Sequence, residues 1–471
     1  MTVVVALDQG TTNTKALAID VSGRVVAKAS APVGITTPAA GSVEQDAEEI
    51  WTRSVDVLAR CIDEAGASSV VGLAIANQRE SVVAWDRSTG APTGPVLSWQ
   101  DSRTAEWCAT LGDAQTVGLV QGRTGLPLDP MFSAPKMAWV LRDADPSTVV
   151  GTVDSWLLWN LTGSTEHVIE AGNASRTLLY RLDKLCWDDD LLALFGIRPS
   201  ALPEPRRSHG PFGRTACEGL PRGLPVLAVL ADSHAALRGH GGGTPGIVKA
   251  TYGTGSSVMR GTGSDLEHRQ GIATTLAWLD ESPTYALEGN IRYSGSALEW
   301  TARMLGLPGA VALGELAAQV PHAGDVAFVP AFGGLGAPHW DPSAVGTITG
   351  LGARSTPAHV ARAAFDAVAH QVADVVQAMV ADTSHGRLRA DGGATASRLL
   401  MQTQADVLGC QVDVAATEDM AAYGAARAAF SSQGVEIPPA PAGGLYVPRK
   451  DSSDRDRART AWARAVARAR Y

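Results

Sequence analysis

The sequence predicts an α/β fold built from two related domains. The chain has 471 residues, which is long for one ordinary hydrophobic core, and strand-like and helix-like segments alternate along it. One local pattern also occurs twice. An apolar strand, a short turn rich in glycine and threonine, and a returning strand begin near residue 3 and again near residue 247. This repetition indicates two domains of similar construction.

The first domain is expected to open with a β-meander and a helix. Three apolar segments are separated by polar turns, at residues 3–7, 16–20 and 24–29. A helix is expected to start at Asp46, because Glu48 and Glu49 would then lie in its first turn, near the positive end of the helix dipole. A buried strand is expected at residues 70–76.

The second domain repeats this beginning. Residues 247–252 and 257–259 are strand-like and flank the turn Gly253-Thr254-Gly255. We therefore place the first domain at residues 1–238 and the second at residues 239–471, with the glycine-rich stretch 239–246 as a flexible junction. An Ala/Arg-rich helix at residues 455–470 is expected to lie on the surface.

Composition and charge argue against several classes of function. A formal net charge of −9 is opposite to the basic surface that a nucleic-acid binder needs. No segment approaches the roughly 20 apolar residues of a membrane-spanning helix, and the N-terminus has no signal-peptide pattern. The five cysteines are scattered and form no C-x-x-C motif, which is typical of a reducing compartment. We expect a cytoplasmic protein without nucleic-acid or membrane partners.

The polar turn after the first strand is a candidate phosphate site. Its backbone N–H groups and threonine hydroxyls would form a concave set of donors, Lys15 would add a positive charge, and Asp8 would hold a hydrated Mg²⁺. An ordinary hairpin with an Asx turn explains the motif about equally well. Gly253-Thr254-Gly255 is a weaker signal alone, but two such turns at matching positions favour a clamp on a polyphosphate.

Four other places have both a structural and a functional interpretation. Asp232 follows an apolar strand and is more simply a helix N-cap than a catalytic carboxylate, and His234 is more simply a packed histidine. Arg79-Glu80 is more simply a surface ion pair, and Trp99 a core residue. For Asp391-Gly392-Gly393, helix–strand packing and close approach of a nucleotide are equally supported.

Other nucleotide-binding signatures are absent from the sequence. No Walker-type G-x-x-x-x-G-K-[ST] occurs, and neither do the H-R-D and D-F-G motifs of protein kinases. A formal G-x-G-x-x-G spans residues 241–246, but it contains a proline and leads into a strand rather than a helix. We therefore treat it as a chance match.

Taken in order, the motifs resemble those of the FGGY family of carbohydrate kinases, and within that family the glycerol kinases most. The resemblance runs from residue 4 to about residue 430. Many ordered matches support it, among them ALDQGTTNTKALAID, IANQRESVVAWD, SWQDSRTA, NASRT, ADSHAAL, TYGTGS, FGGLGAPHWDP and LRADGGATASRLLMQ.

The resemblance implies a fold, cofactors and most of a site. It implies two actin-like, hexokinase-type (ribonuclease H-like) domains, with the carbohydrate, ATP and Mg²⁺ in the cleft between them. Residues 1–238 would form the substrate side and 239–471 the nucleotide side. Asp232 matches the catalytic base, and Asp8 matches the magnesium-associated carboxylate. The implied nucleotide-binding residues are Thr11, Thr12, Asn13, Lys15, Gly253, Thr254, Gly295, Glu299, Gly393 and Ser397.

The implied substrate contacts are only partly retained. Asp232 and three further residues match the family, namely Arg79, Glu80 and Trp99. Met131, Ser257 and Ser233 stand where the glycerol kinases have a tyrosine, a phenylalanine and a glutamine. Similarly, Glu299 and Ser397 replace a common glutamine and asparagine near the nucleotide. The lost aromatic bulk predicts a larger and more polar pocket.

The predicted reaction is phosphorylation by ATP of a primary hydroxyl of a polyol or ketose of four to six carbons. A true glycerol kinase is the first alternative, and an actin- or chaperone-type ATPase is the second. The retained polyol-binding residues argue against the ATPase. A non-catalytic sugar-sensing regulator is the third, and it would be expected to carry a helix-turn-helix extension. A homodimer is a candidate assembly.

Overall fold

The structure is a computed structural model that describes residues 2–243, 247–380 and 386–470. Its strands are β1 Val3–Gln9, β2 Asn13–Asp20, β3 Val25–Pro32, β4 Glu44–Gln45, β5 Val70–Asn77, β6 Val82–Asp86, β7 Val96–Leu97, β8 Thr148–Thr152, β9 Val168–Glu170, β10 Tyr180–Arg181, β11 Cys186–Trp187, β12 Glu204–Arg206, β13 Val226–Ala231, β14 Val248–Tyr252, β15 Ser256–Gly263, β16 Ala273–Leu279, β17 Pro283–Ile291, β18 Ala327–Val329, β19 Thr347–Thr349, β20 Arg387–Asp391, β21 Gln411–Ala415 and β22 Ala442–Tyr446. Its α-helices are α1 Ala47–Ala65, α2 Ala105–Thr110, α3 Ala114–Thr124, α4 Ser133–Leu141, α5 Val153–Leu161, α6 Ala171–Ala174, α7 Asp189–Phe195, α8 Asp232–Gly239, α9 Gly295–Met304, α10 Ala310–Ala317, α11 Pro357–Met379, α12 Arg398–Leu408, α13 Met420–Ser432 and α14 Ser452–Ala469.

The first sheet has five strands in the order β13-β5-β1-β2-β3. The predicted meander β1-β2-β3 is antiparallel, and β5 and β13 add in parallel on the other side of β1. Alternate residues of β1 face opposite sides. Val3 and Val5 join the core under α1, whereas Val4 and Ala6 join the core under α8 and α13. Both faces are therefore buried, as expected where parallel strands are covered by helices.

The second sheet has seven strands in the order β16-β17-β15-β14-β20-β21-β22. β14, β15 and β17 are antiparallel neighbours, and β20 and β21 follow in parallel from β14. This arrangement repeats the connectivity of the first sheet, which explains why the sequence pattern occurs twice. Helix α13 follows β21 in the chain but packs against β1, β5 and α8, so the two halves share one core at this point.

A third group of elements enlarges the first half of the chain. Strands β4, β7, β6 and β8 form a four-stranded sheet. Helices α4 and α7 pack beside it around a separate apolar cluster that includes Phe132, Met137 and Leu191. Met131 lies against the edge of this cluster and is half-buried.

Several local predictions are confirmed and others are wrong. Asp46 is the N-cap of α1 and accepts hydrogen bonds from the amides of Glu48 and Glu49, as the sequence predicts. Asp232 is not an N-cap, because it is the first residue of α8 and Ala231 holds the cap position. The helix after β20 begins after Ser397, whose hydroxyl accepts from a backbone amide of the first turn. The C-terminal helix α14 contributes to the second core rather than lying only on the surface.

The predicted domain junction is only partly visible. Gly239 ends α8, and residues 244–246, which complete the glycine-rich stretch and the formal G-x-G-x-x-G, lie outside the described residues. Within the described part of the chain, no helix is both long enough and apolar enough to cross a lipid bilayer.

Candidate active site

The carboxyl ends of three neighbouring strands bring candidate side chains to one edge of the first sheet. Asp8 on β1 is in register with Ala76 on β5, and Ala76 is in register with Leu230 on β13. The residues that follow these positions, Arg79 after β5 and Asp232 after β13, therefore lie at the same edge of the sheet as Asp8. Ligands of open α/β sheets collect at this edge.

Arg79 links Asp232 to the second sheet. Its Nε lies 3.0 Å from Asp232 Oδ1, and its Nη1 donates to Oε1 of Glu288 on β17 at 2.6 Å. The Arg79 and Glu288 side chains are buried, whereas 37% of the Asp232 side chain is exposed. Burial alone would favour a neutral Arg79, but the charges of Glu288, Glu80 and Asp232 raise the pKa of Arg79 above its usual value. Arg79 and Glu80 are thus not a surface ion pair.

Glu288 and Arg176 are the site residues that the sequence interpretation did not single out. Arg176 is fully buried, with its Nε donating to Glu80 Oε1 at 2.7 Å and its Nη1 lying 2.8 Å from Glu288 Oε2. Although burial opposes ionisation, Arg176 and Arg79 hold the pKa of Glu288 well below its usual range. The available signals were a glutamate next to the apolar run of β17, and an arginine within the matched motif NASRT.

Asp8 has the features of a magnesium-associated carboxylate. Its side chain is partly exposed and makes no hydrogen bond or ion pair with any described residue. Burial first, and then the like charge of Asp232, raise the pKa of Asp8 to about 7, and a bound divalent cation would favour the ionised form. Among the described residues, no group of three or more His, Cys, Asp or Glu could ligate a metal. An Asp8 carboxylate that no described group pairs with fits a Mg²⁺ held by one or two carboxylates, water and phosphate.

The first candidate phosphate turn is held by side chains from the rest of the first half. Trp99 is half-buried, and its indole N–H donates to Thr11 Oγ1 at 2.9 Å, so it is not simply a core residue. Gln45 donates to the Thr11 carbonyl at 2.7 Å. Thr12 is exposed and Asn13 partly exposed, which leaves their side chains accessible to a ligand.

The second turn, Gly253-Thr254-Gly255, sits on the N-terminus of α9. The Gly253 carbonyl accepts from Gly295 N at 3.0 Å, and the Thr254 carbonyl accepts from Ser294 N at 2.9 Å. The approach is close: a Cβ at Gly295 would lie 2.6 Å from the Gly253 carbonyl oxygen. Gly253 and Thr254 are exposed.

The Asp391-Gly392-Gly393 segment is packed at its first two residues and open at the third. Asp391 is buried, and its Oδ2 lies 2.7 Å from His240 Nε2, which is a packing role. Gly392 has φ of 92° and would place a Cβ 2.5 Å from the Tyr252 carbonyl oxygen. Gly393 is exposed, and a Cβ there would meet no atom within 4 Å, so a ligand could approach its backbone.

The remaining predicted residues differ in how accessible they are. Glu299 is exposed on α9 and accepts from Ala310 N at 3.2 Å. Ser257 Oγ donates to Glu288 Oε1 at 3.0 Å. The Ser233 hydroxyl makes no hydrogen bond with a described residue, although the Ser233 amide donates to Asp232 Oδ1 at 2.5 Å. His234 is fully buried, with its Nε2 3.2 Å from Thr275 Oγ1, which confirms the packed interpretation.

The fold and the site together define a two-domain phosphotransferase, with acidic and basic groups where the two sheets meet. The N-terminal domain of the FGGY family of carbohydrate kinases matches residues 3–239, and the C-terminal domain of that family matches residues 248–432. The chain therefore belongs to the FGGY family of carbohydrate kinases.

Relatives and solved structures agree on the chemistry. The chain is 45% identical over 419 residues to the apulose kinase of Pectobacterium atrosepticum, with 86% of this chain and 84% of that protein covered. It is 43% identical over 441 residues to a glycerol kinase of Trichlorobacter lovleyi, covering 90% and 89%. The structure of Plasmodium falciparum glycerol kinase with ADP superposes with a TM-score of 0.90 at 27% identity, covering 100% and 98%. The protein is an ATP-dependent carbohydrate kinase with ATP and Mg²⁺ as cofactors and a small polyol or sugar as substrate.

Proposed function

We propose that this kinase phosphorylates a primary hydroxyl of a polyol or ketose of four to six carbons. The observation that supports the catalytic assignment is the arrangement around Asp232. Both of its protein contacts, from Arg79 and from the Ser233 amide, fall on Oδ1. Its Oδ2 contacts no donor among the described residues and can accept a proton.

In the proposed reaction, Asp232 Oδ2 takes the proton of the substrate hydroxyl as that oxygen attacks the γ-phosphorus. The bond to the β-phosphate oxygen breaks, and ADP leaves. When bound, Mg²⁺ neutralises charge on the phosphates. The turns at Thr11–Asn13 and Gly253–Thr254 hold the phosphates, and Arg79 orients both Asp232 and the substrate. That the two turns face each other across one cleft is part of this proposal.

The proposal for substrate size rests on three substitutions. Met131 and Ser257 replace aromatic residues, so a three-carbon ligand would leave unfilled space, which costs about 1–3 kcal/mol per missing apolar group. Ser257 already donates to Glu288, so it offers a substrate lone pairs rather than a proton. Ser233 keeps an unengaged hydroxyl near Asp232. A longer polyol or ketose would fill the space and bond to these hydroxyls.

The relatives leave both candidate substrates open to test. One relative is named an apulose kinase, which favours a larger substrate, and several at 40–43% identity are named glycerol kinases. The true glycerol kinase is therefore our second candidate.

Coupled ADP-release assays over a panel containing glycerol, apulose and other polyols and ketoses would decide between the candidates. We expect a higher kcat/KM for at least one four- to six-carbon substrate than for glycerol. The double variant Met131→Tyr/Ser257→Phe should shift preference towards glycerol, with the single variants intermediate. The size argument would be wrong if glycerol were the best substrate of the wild-type enzyme.

We also infer a cytoplasmic location. All five cysteines are free, and two of them, Cys61 and Cys108, are buried, which suits a reducing compartment that supplies ATP. Assembly as a homodimer stays a prediction, and analytical ultracentrifugation would test it.

A further inference from the structure

A buried carboxylate outside the proposed reaction controls the lysine next to the metal-associated aspartate. Asp419 lies between β21 of the second sheet and α13, and only 4% of its side chain is exposed. Its Oδ1 accepts from Lys15 Nζ at 2.8 Å, and its Oδ2 accepts from Lys28 Nζ. Asp419 therefore joins the second half of the chain to two strands of the first sheet.

The strand register places Lys15 where its ammonium could compete with a metal ion for the Asp8 carboxylate. Asp8 and Lys15 are directly opposite in the antiparallel pair of β1 and β2, so their side chains lie on one face of the sheet. The ammonium nevertheless donates to Asp419, and Asp8 makes no ion pair with any described residue. Without the charge of Asp419, Asp8 would be the nearest carboxylate on that face for Lys15 to approach.

We infer that Asp419 is a positioning residue for the metal site, which binds Lys15 and so leaves the Asp8 carboxylate open to Mg²⁺. This inference rests on the magnesium role proposed for Asp8. An ammonium on Asp8 would both occupy its oxygen lone pairs and repel a divalent cation. By holding Lys15 at Asp419, the protein keeps a positive charge near the phosphate turn while leaving the carboxylate available.

The test measures metal binding directly, with Mn²⁺ as the probe, by water-proton relaxation on the full chain without nucleotide. Asp419→Asn keeps the side-chain shape and removes the charge. We expect it to raise the Mn²⁺ dissociation constant about tenfold, the effect of roughly 1.4 kcal/mol. The double variant Lys15→Met/Asp419→Asn should return the constant to within about twofold of wild type, because the ammonium directly opposite Asp8 is then removed. Lys28→Met is the matched control and should leave the Mn²⁺ dissociation constant unchanged.

The variants separate the possible failures. If Asp419→Asn and the double variant bind Mn²⁺ equally weakly, Asp419 acts through the fold, and the inference is overturned. Unchanged binding in Asp419→Asn would overturn it too. Asp8→Asn tests the underlying assignment: wild-type binding there would remove the metal role of Asp8 itself. If Asp419→Asn does not fold, Asp419→Glu replaces it, with and without Lys15→Met. The longer side chain keeps the carboxylate, so Mn²⁺ binding should stay near wild type in both backgrounds. Weakened Mn²⁺ binding that Lys15→Met does not restore overturns the inference.

Discussion

Replacing Glu288 with glutamine should destabilise the protein more than any other single loss of charge at the site. Removing one partner of a buried ion pair typically costs about 3–5 kcal/mol, because the other charge stays buried. Here Arg79 keeps Asp232 at 3.0 Å, and Arg176 keeps Glu80 at 2.7 Å. Each guanidinium thus retains one carboxylate, so we expect the low end of that range, about 3 kcal/mol.

The assay is urea-induced unfolding followed by tryptophan fluorescence, with the variants compared by their midpoints. Glu281→Gln is a matched control, since it makes the same chemical change at a side chain that is 85% exposed and pairs with Arg207. That control should unfold at the wild-type midpoint, because exposed pairs contribute little. A Glu288→Gln midpoint equal to that of Glu281→Gln would refute the proposed role of the buried network.

The same variant has a catalytic consequence. Arg79 is held between Glu288 and Asp232, and without the Glu288 charge its remaining ion pair among the described residues is the one with Asp232, at 3.0 Å. The guanidinium should then engage the carboxylate more fully and hinder its approach to the substrate proton. We expect a lower kcat with a nearly unchanged KM for ATP. Full kcat in a destabilised variant would show that the network supports the fold alone.

Three further predictions follow from single residues. Asp232→Asn should lower kcat by about 10²–10⁴-fold and keep ATP affinity; more than roughly a tenth of wild-type activity would exclude an essential base. Gly393→Ala should fold normally and raise the KM for ATP, whereas Gly392→Ala should lose about 1–3 kcal/mol of stability because residue 392 has a positive φ. Equal melting temperatures for the Gly392→Ala and Gly393→Ala variants would contradict this prediction. Burial, and then Arg87, lower the pKa of His167 to about 4. Because the unfolded chain then binds a proton that the folded chain does not, stability should fall as pH drops from 6.5 towards 4, by about 2 kcal/mol more than in His167→Gln. Parallel pH profiles of the melting temperatures of wild type and His167→Gln would contradict this prediction.

Local patterns in the sequence were sufficient for the strand and turn positions around the site. Both glycine–threonine turns and the strand ending before Asp232 follow from apolar segments bounded by polar residues, and the structure places them so. The start of α1 at Asp46 followed from residue types alone. These features depend on neighbours in the chain, which the sequence displays directly.

Interactions between the two halves could not be predicted in the same way. Arg79 and Glu288 are 209 residues apart, and Lys15 and Asp419 are 404 residues apart, yet each pair is in contact. A charged residue is most simply interpreted as solvated until its partner is known, so Arg79-Glu80 was interpreted as a surface pair. Only the packing of β17 and α13 against the first half shows otherwise.

The repeated topology gives these long-range contacts a common origin. In the first sheet, β1, β5 and β13 run parallel in that order, and in the second, β14, β20 and β21 do the same. Asp232 follows β13 and Asp419 follows β21, each at the start of a helix, and these two helices pack against each other. The two carboxylates therefore occupy equivalent places but face different surroundings. Asp232 stays 37% exposed, with one oxygen that no described residue contacts, whereas Asp419 is buried and paired with two lysines. The first of these carboxylates can then take part in the reaction, while the second holds two lysine side chains in place.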